Sequence, residues 1–154
     1  MLRTLLWDPL EPVATRPLAL VQGASLYCYG VDFNKNVSEV FDAQGTIAAA
    51  YDYSPYGTAT RTGRLVQPVQ WSGEMHDEES SLVYYNYRYY NPADGRWINR
   101  DPIAEQGGWN LYAFLGNSPQ DKFDALGLED KKKDKEFLGY VYDQTLEGTD
   151  IYIC

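Results

Sequence analysis

Leu82-Val83-Tyr84-Tyr85-Asn86-Tyr87-Arg88-Tyr89-Tyr90 runs into Asn91-Pro92-Ala93-Asp94-Gly95 and then into Arg96-Trp97-Ile98-Asn99. Aromatic rings suit the pleated surface of a sheet, so the first run predicts one long strand. The Asn, Pro, Asp and Gly that follow predict a turn, and the last four residues a short return strand. Side chains alternate between the two faces of a strand. This period puts Tyr85, Tyr87 and Tyr89 on one face and Tyr84, Asn86, Arg88 and Tyr90 on the other, leaving Arg88 on the more polar side.

Toward the N-terminus the pattern is also that of strands and turns. Leu26-Tyr27-Cys28-Tyr29 ends at Gly30, and Val37-Ser38-Glu39-Val40-Phe41 ends at Asp42-Ala43-Gln44-Gly45. The run from Ile47 to Tyr53 follows at once, predicting a hairpin with a four-residue connection, and Ser54-Pro55-Tyr56-Gly57 predicts the next turn. Before these strands, residues 1–17 carry Pro9, Pro12 and Pro17, a spacing suited to an extended incoming arm. Past the aromatic strand, Leu111, Phe114 and Leu115 have helical spacing, and Gly116-Asn117-Ser118-Pro119 supplies a stop, so a helix of about two turns is predicted over 110–116. Beyond Leu128 the chain turns to Glu129-Asp130-Lys131-Lys132-Lys133-Asp134-Lys135-Glu136, which predicts a solvated linker, and 137–154 is too short to build a core. The organisation expected is an arm over 1–17, a β-rich body over 18–128, and a charged linker with a short tail over 129–154.

Composition agrees with a mainly β chain: 14 Tyr, 4 Trp and 13 Gly against 2 Met in 154 residues, enough for one domain. The net charge of −9 argues against nucleic acid as a partner, because phosphate binding draws on Lys and Arg. Cys28 and Cys154 allow one disulfide, none, or two separate thiols. Leu2, Leu5, Leu6 and Trp7 begin an apolar stretch that Asp8, Pro9, Glu11 and Pro12 interrupt, so no ordinary signal peptide is expected. No run approaches a membrane span. Synthesis in the cytoplasm is expected, a dedicated secretion machine remaining compatible.

The motifs taken together resemble a known family. Arg88-Tyr89-Tyr90-Asn91-Pro92, Gly95-Arg96-Trp97, Arg100-Asp101-Pro102-Ile103, Asn110-Leu111-Tyr112 and Asp124-Ala125-Leu126-Gly127-Leu128 are similar, in order, to the core that closes Rhs/YD-repeat proteins, the polymorphic-toxin and Tc-toxin shells. The stretch from Phe41 to Gly57 resembles one YD repeat, and that from Gln70 to Tyr90 a degenerate second one. The resemblance implies hairpins of a shell sheet, with one short helix near the closing motif. It also implies an aspartic-protease-like core that cuts its own chain after Asp-Pro-x-Gly-Leu, although here Ala125 stands in place of the proline. On this reading Asp101 and Asp124 are the two carboxylates, Arg88 is a third functional residue, and the scissile bond joins Leu128 to Glu129. Two carboxylates sharing one proton give such chemistry its base and its acid. The substrate is then the chain's own C-terminal segment, and the partners implied are a larger Rhs shell chain or an immunity protein. No cofactor is implied.

Each of these residues also has an ordinary structural reading. Asp101 before Pro102 suits a helix N-cap, Asp124 before Gly127 suits a turn, and Arg88 among tyrosines can stack on a ring. A non-catalytic module that completes or decorates a shell is therefore the alternative. His76, among Glu74, Asp77, Glu78 and Glu79, reads as a solvated turn residue rather than a metal ligand. Asn91, Asp94, Gly95 and Asp101 do not have the spacing of a calcium loop, and no metal site is expected.

Overall fold

The computed structural model describes residues 2–11, 13–103, 109–119, 121–128 and the backbone of 131–132. Strands β1 (Arg3–Trp7), β2 (Pro17–Gln22), β3 (Ser25–Val31), β4 (Val37–Asp42), β5 (Ile47–Tyr53) and β6 (Ala59–Gly63) form a six-stranded antiparallel meander in chain order. Part of the stretch expected as an incoming arm is thus edge strand β1, in register with β2 from Arg3 opposite Gln22. The β4–β5 connection is the expected one. Asp42 Oδ1 accepts from Gln44 N (3.0 Å) and Thr46 N (2.8 Å), which closes the turn with the aspartate's own side chain.

The core of this sheet gathers Val37, Val40, Ala49, Tyr51, Leu65 and Val69. One amide pins it. Buried Gln67 accepts from Tyr29 Oη (2.9 Å) and Val69 N (2.7 Å), and donates to Tyr51 Oη (3.0 Å) and Val69 O (2.6 Å). Burying an amide is costly unless its bonds are made, and here both ends are satisfied.

A second sheet holds β7 (Met75–Asp77), β8 (Leu82–Tyr85), β9 (Arg88–Asn91) and β10 (Arg96–Trp97), in spatial order β10-β9-β8-β7. The predicted single aromatic strand over 82–90 is therefore a hairpin. Tyr85 pairs with Arg88, and the chain reverses at Asn86, whose φ is +53°. Asn tolerates this left-handed conformation better than most residues. The reversal breaks the period of two, so that Tyr85, Arg88 and Tyr90 are buried while Tyr84, Tyr87 and Tyr89 face outward. Arg88 is thus on the inner face, contrary to the alternation argument. His76, expected in a solvated turn, lies in β7 and is half-buried, and its burial lowers the imidazole pKa.

The second core is aromatic: Trp71, Val83, Tyr85, Tyr90, Trp97, Phe114 and Leu115, with Tyr53 of β5 and Tyr56 packed on it. Tyr85, Tyr90 and Phe114 meet Trp97 at ring centroid distances of 5.1, 5.7 and 5.3 Å, all edge-on. Such pairs add attraction to the area they bury.

No α-helix forms over 110–116. Asn110 Oδ1 accepts from Tyr112 N, Ala113 bridges to Arg96, and the helical element is a single 3-10 turn at Leu115–Asn117. Leu115, Gly116 and Asn117 all have positive φ (52°, 56° and 60°). Leu111, Phe114 and Leu115 have helical spacing because Phe114 and Leu115 enter the aromatic core, and sheet-like bonding of the backbone prevents the helix. Trp97 N donates to Tyr112 O and Asp101 N to Leu111 O. Within the predicted solvated run, Lys131–Lys132 form β12, paired with β11 (Lys122–Phe123).

Candidate active site at Arg88, Asp101 and Asp124

Three elements far apart in sequence deliver their polar side chains to one buried point. β9 contributes Arg88 from its first residue, the segment after β10 contributes Asp101, and the loop after β11 contributes Asp124. Arg88 is 3% exposed, and Asp101 and Asp124 are buried with it. Its Nη1 donates to Asp101 Oδ2 at 2.8 Å and its Nη2 to Asp124 Oδ2 at 3.4 Å. Nε donates to the carbonyl of Gly127, so that one guanidinium holds both carboxylates and the closing loop. A planar fork of five donors can do this where a lysine cannot. Trp97 lies beneath it, with the guanidinium carbon 4.0 Å from the ring centroid.

The remaining oxygens are spent on backbone. Asp101 Oδ1 accepts from Ile103 N (2.9 Å). Asp124 Oδ1 accepts from Leu126 N (3.1 Å), Gly127 N (2.7 Å) and Leu128 N (3.2 Å), cradling the loop that carries it. Burial pushes the Asp124 pKa up, while these three N–H groups and Arg88 pull it down; burial prevails. The two aspartates therefore meet at a shared guanidinium.

Gly127 is essential to the loop's path. Its φ is +75°, and a Cβ there would stand 2.8 Å from Tyr85 O. The loop packs directly on the β8–β9 hairpin, where Tyr87 N also donates to Leu126 O (3.3 Å). Leu128 is thus fixed through its N–H. Glu129, the other side of the expected scissile bond, lies outside the described residues, as do Cys154 and most of the tail. Just beyond, the β11–β12 pairing holds 131–132.

Arg88, Asp101 and Asp124 were named from sequence and are brought together. Two of the structural readings of the same residues hold as well, Arg88 stacking on a ring and Asp124 capping a turn; Asp101 caps a turn at Ile103, and no helix begins there among the described residues. Sequence reasoning did not find Trp97 as the platform or the buried Glu74, whose Oε1 has no hydrogen-bond partner. Glu74 follows the buried turn Trp71–Gly73, and only that packing distinguishes it from the exposed acids nearby. Among the described residues, no cluster of His, Cys, Asp and Glu could hold a metal ion, and no helix is long and apolar enough to cross a membrane.

No family model matches the chain. It is 47% identical over 62 residues to toxin protein Tse5 of Pseudomonas aeruginosa, covering 40% of this chain and 5% of Tse5. It is 41% identical over 60 residues to RhsB of Dickeya dadantii, covering 39% of this chain and 4% of RhsB. A crystal structure of TcdB2-TccC3 without its hypervariable C-terminal region superposes with a TM-score of 0.65 at 28% identity, covering 71% of this chain and 6% of that one. The chain spans about half the length or less of the curated relatives compared with it. Sequence relatives among Rhs toxins and a β-fold shared with the Tc-toxin shell agree: the chain is similar in sequence and in fold to Rhs and Tc-toxin proteins.

Proposed function

We propose that this chain is the self-cleaving core of an Rhs shell, hydrolysing its own Leu128–Glu129 bond. One observation carries the reading. The loop before that bond is already seated in the site, its Gly127 carbonyl on Arg88 and the N–H groups of residues 126, 127 and 128 on Asp124. Such positioning turns an attack on the next carbonyl into an effectively unimolecular problem. Water adds across the bond: its oxygen goes to the Leu128 carbonyl carbon, one proton passes to a site carboxylate, and the departing nitrogen takes up a proton. The substrate is the chain's own segment from Glu129 onward.

The edge strands β1 and β6 carry unpaired backbone groups that further shell strands, in the same or another chain, can meet. A larger Rhs shell chain is the partner this favours; export by a dedicated secretion machine and binding of an immunity protein are part of the same proposal, which toxins among the relatives support.

Incubating the purified chain from pH 4 to pH 9 and measuring intact mass tests the reading. The expected result is two products, residues 1–128 and 129–154, with one water gained. In Asp101→Asn and in Asp124→Asn the rate should fall by about 100-fold or more, the usual scale for losing an acid–base group. A wild-type chain that stays intact throughout favours the second reading, a non-catalytic shell module. That reading draws on the same aspartates, whose Oδ1 atoms cap the turns they begin.

A further inference from the structure

The two sheets end differently. Both edges of the second sheet are covered by backbone: Val69 bridges to Met75 of β7 and His76 N donates to Pro68 O (2.7 Å), while beside β10 Ala113 bridges to Arg96 and Trp97 N donates to Tyr112 O (3.0 Å). The first sheet ends at β6, with no further strand beside it among the described residues. On one face β5 buries Ala49 and Tyr51, yet the β6 residues opposite them, Gly63 and Arg61, are exposed, so burial stops one strand before the edge. A cleft of about 410 Å³ lies there between the two sheets, a size that takes a small organic group. Ala59 and Arg61, two residues apart and so on one face of β6, line one side of it. Two contacts cross to the second sheet, Arg61 Nη1 to Glu78 Oε1 and Thr58 Oγ1 to Pro92 O, each 3.3 Å.

We infer that β6 and this cleft receive an extended strand of a partner chain, the strand pairing along β6 and placing a tyrosine side chain in the cleft. The inference deepens the shell-partner reading and rests on it for the partner's identity, not on cleavage. Pairing satisfies the outward backbone groups of an edge strand. A strand laid beside β6 turns alternate side chains toward the face that Ala59 and Arg61 share, so every second residue of it is directed at the cleft. The chemistry of the walls selects that residue. Arg61 and Glu78 offset each other's charge at 3.3 Å, and the half-buried His76, its pKa lowered by burial, is neutral near pH 7, so an entering charge finds no unpaired counterpart. Tyr51, Pro92 and Ala93 offer apolar contact, while Gln70 and Ser81 offer partners for a hydroxyl. A phenol combines an apolar body with one polar tip. The same sheet already uses tyrosines in this way on every second strand: Tyr29 Oη of β3 and Tyr51 Oη of β5 meet the amide of Gln67 at 2.9 and 3.0 Å. The strand next to β6 is the following position in that series.

Titrating the whole ¹⁵N-labelled chain with the capped peptide Val-Thr-Tyr-Thr-Val, matched to the 5 residues of β6, provides the test. The peptide's Val and Tyr residues share one face and its Thr residues the other. Amide resonances of residues 60–63 should shift together with those of His76, Glu78 and Ser81 across the cleft. Replacing the peptide's tyrosine by serine should weaken binding by about 10-fold or more, the scale of burying one aromatic side chain. Ala93→Trp, which fills the cleft from the β9–β10 turn, should reduce the tyrosine peptide to the affinity of the serine peptide. Should that variant not fold, the two peptides on the wild-type chain decide alone. Equal affinity for the two peptides, or tyrosine-dependent shifts away from the cleft, overturns the inference and leaves the β6 edge open to a shell strand. No response along β6 to either peptide at millimolar concentration overturns the edge pairing itself, and the inference with it.

Discussion

Arg88→Met should destabilise the chain by about 3–5 kcal/mol, because the change strands two buried carboxylates and not merely one bond. Methionine roughly matches the arginine stem in volume, so packing on Trp97 is largely kept, and the loss isolates the charge. With no guanidinium, Asp101 keeps only Ile103 N and Asp124 only its loop amides. Each acid must then take up a proton or bear its charge unpaired. At about 2–4 °C per kcal/mol for a chain of this size, the melting temperature should drop by roughly 10 °C. The remedy is as informative as the damage. Adding Asp101→Asn and Asp124→Asn to Arg88→Met removes all the buried charge at once, and should recover most of the stability, since replacing a whole buried ion cluster is often neutral. Differential scanning calorimetry of the single and triple variants at pH 7 checks both results. Arg88→Met with unchanged melting would mean that the three side chains are not mutually dependent.

The cluster also shows what the amino-acid order discloses and what it conceals. Arg88, Asp101 and Asp124 were recognisable because their motifs come in a fixed order, Arg-Tyr-Tyr, Arg-Asp-Pro-Ile, Asp-x-Leu-Gly-Leu, that resembles a known core. Nothing in their spacing says that they meet. The alternation argument in fact sent Arg88 to the wrong face, since one left-handed residue, Asn86, reverses the chain and swaps the parity of everything after it. An asparagine flanked by tyrosines was the available signal. The hairpin at 42–46 was legible for the opposite reason: Asp42 and Gly45 are the residues such a turn requires, and no tertiary contact opposes them. The helix predicted over 110–116 failed because apolar spacing reports which residues are buried, not how the backbone gets them there. Leu115 reaches the core through a left-handed turn that ordinarily costs an L-residue about 1–2 kcal/mol, which its burial beside Trp97 and Phe114 offsets. Glu74 was hidden because burial is a property of the folded turn around Trp71, and its sequence neighbours are exposed acids.

Gly127→Ala should be as damaging to the closing loop as Arg88→Met is to the whole fold. The position needs a φ of +75°, which costs an alanine about 1–2 kcal/mol by itself. The added methyl would also stand 2.8 Å from Tyr85 O and 3.0 Å from Tyr85 Cβ, and neither can give way easily because Tyr85 is buried among Tyr90, Trp97 and Phe114. Overpacking of this kind costs about 1–3 kcal/mol more, and the loop relieves it by lifting off the hairpin. Lifting separates the Gly127 carbonyl from Arg88 and draws the N–H groups of residues 126, 127 and 128 away from Asp124. The strands are held to one another by their own antiparallel ladders, so the strand content should persist when the loop lifts. Amide exchange at residues 126–128 should accelerate toward open-loop rates while β8 and β9 remain protected, and any cleavage after Leu128 should slow by about 100-fold, the scale of a displacement of about 1 Å at a reacting centre. Protection of those amides equal to that of the wild type would show that the loop tolerates a side chain there, and that the glycine of the motif is needed for something other than this close approach.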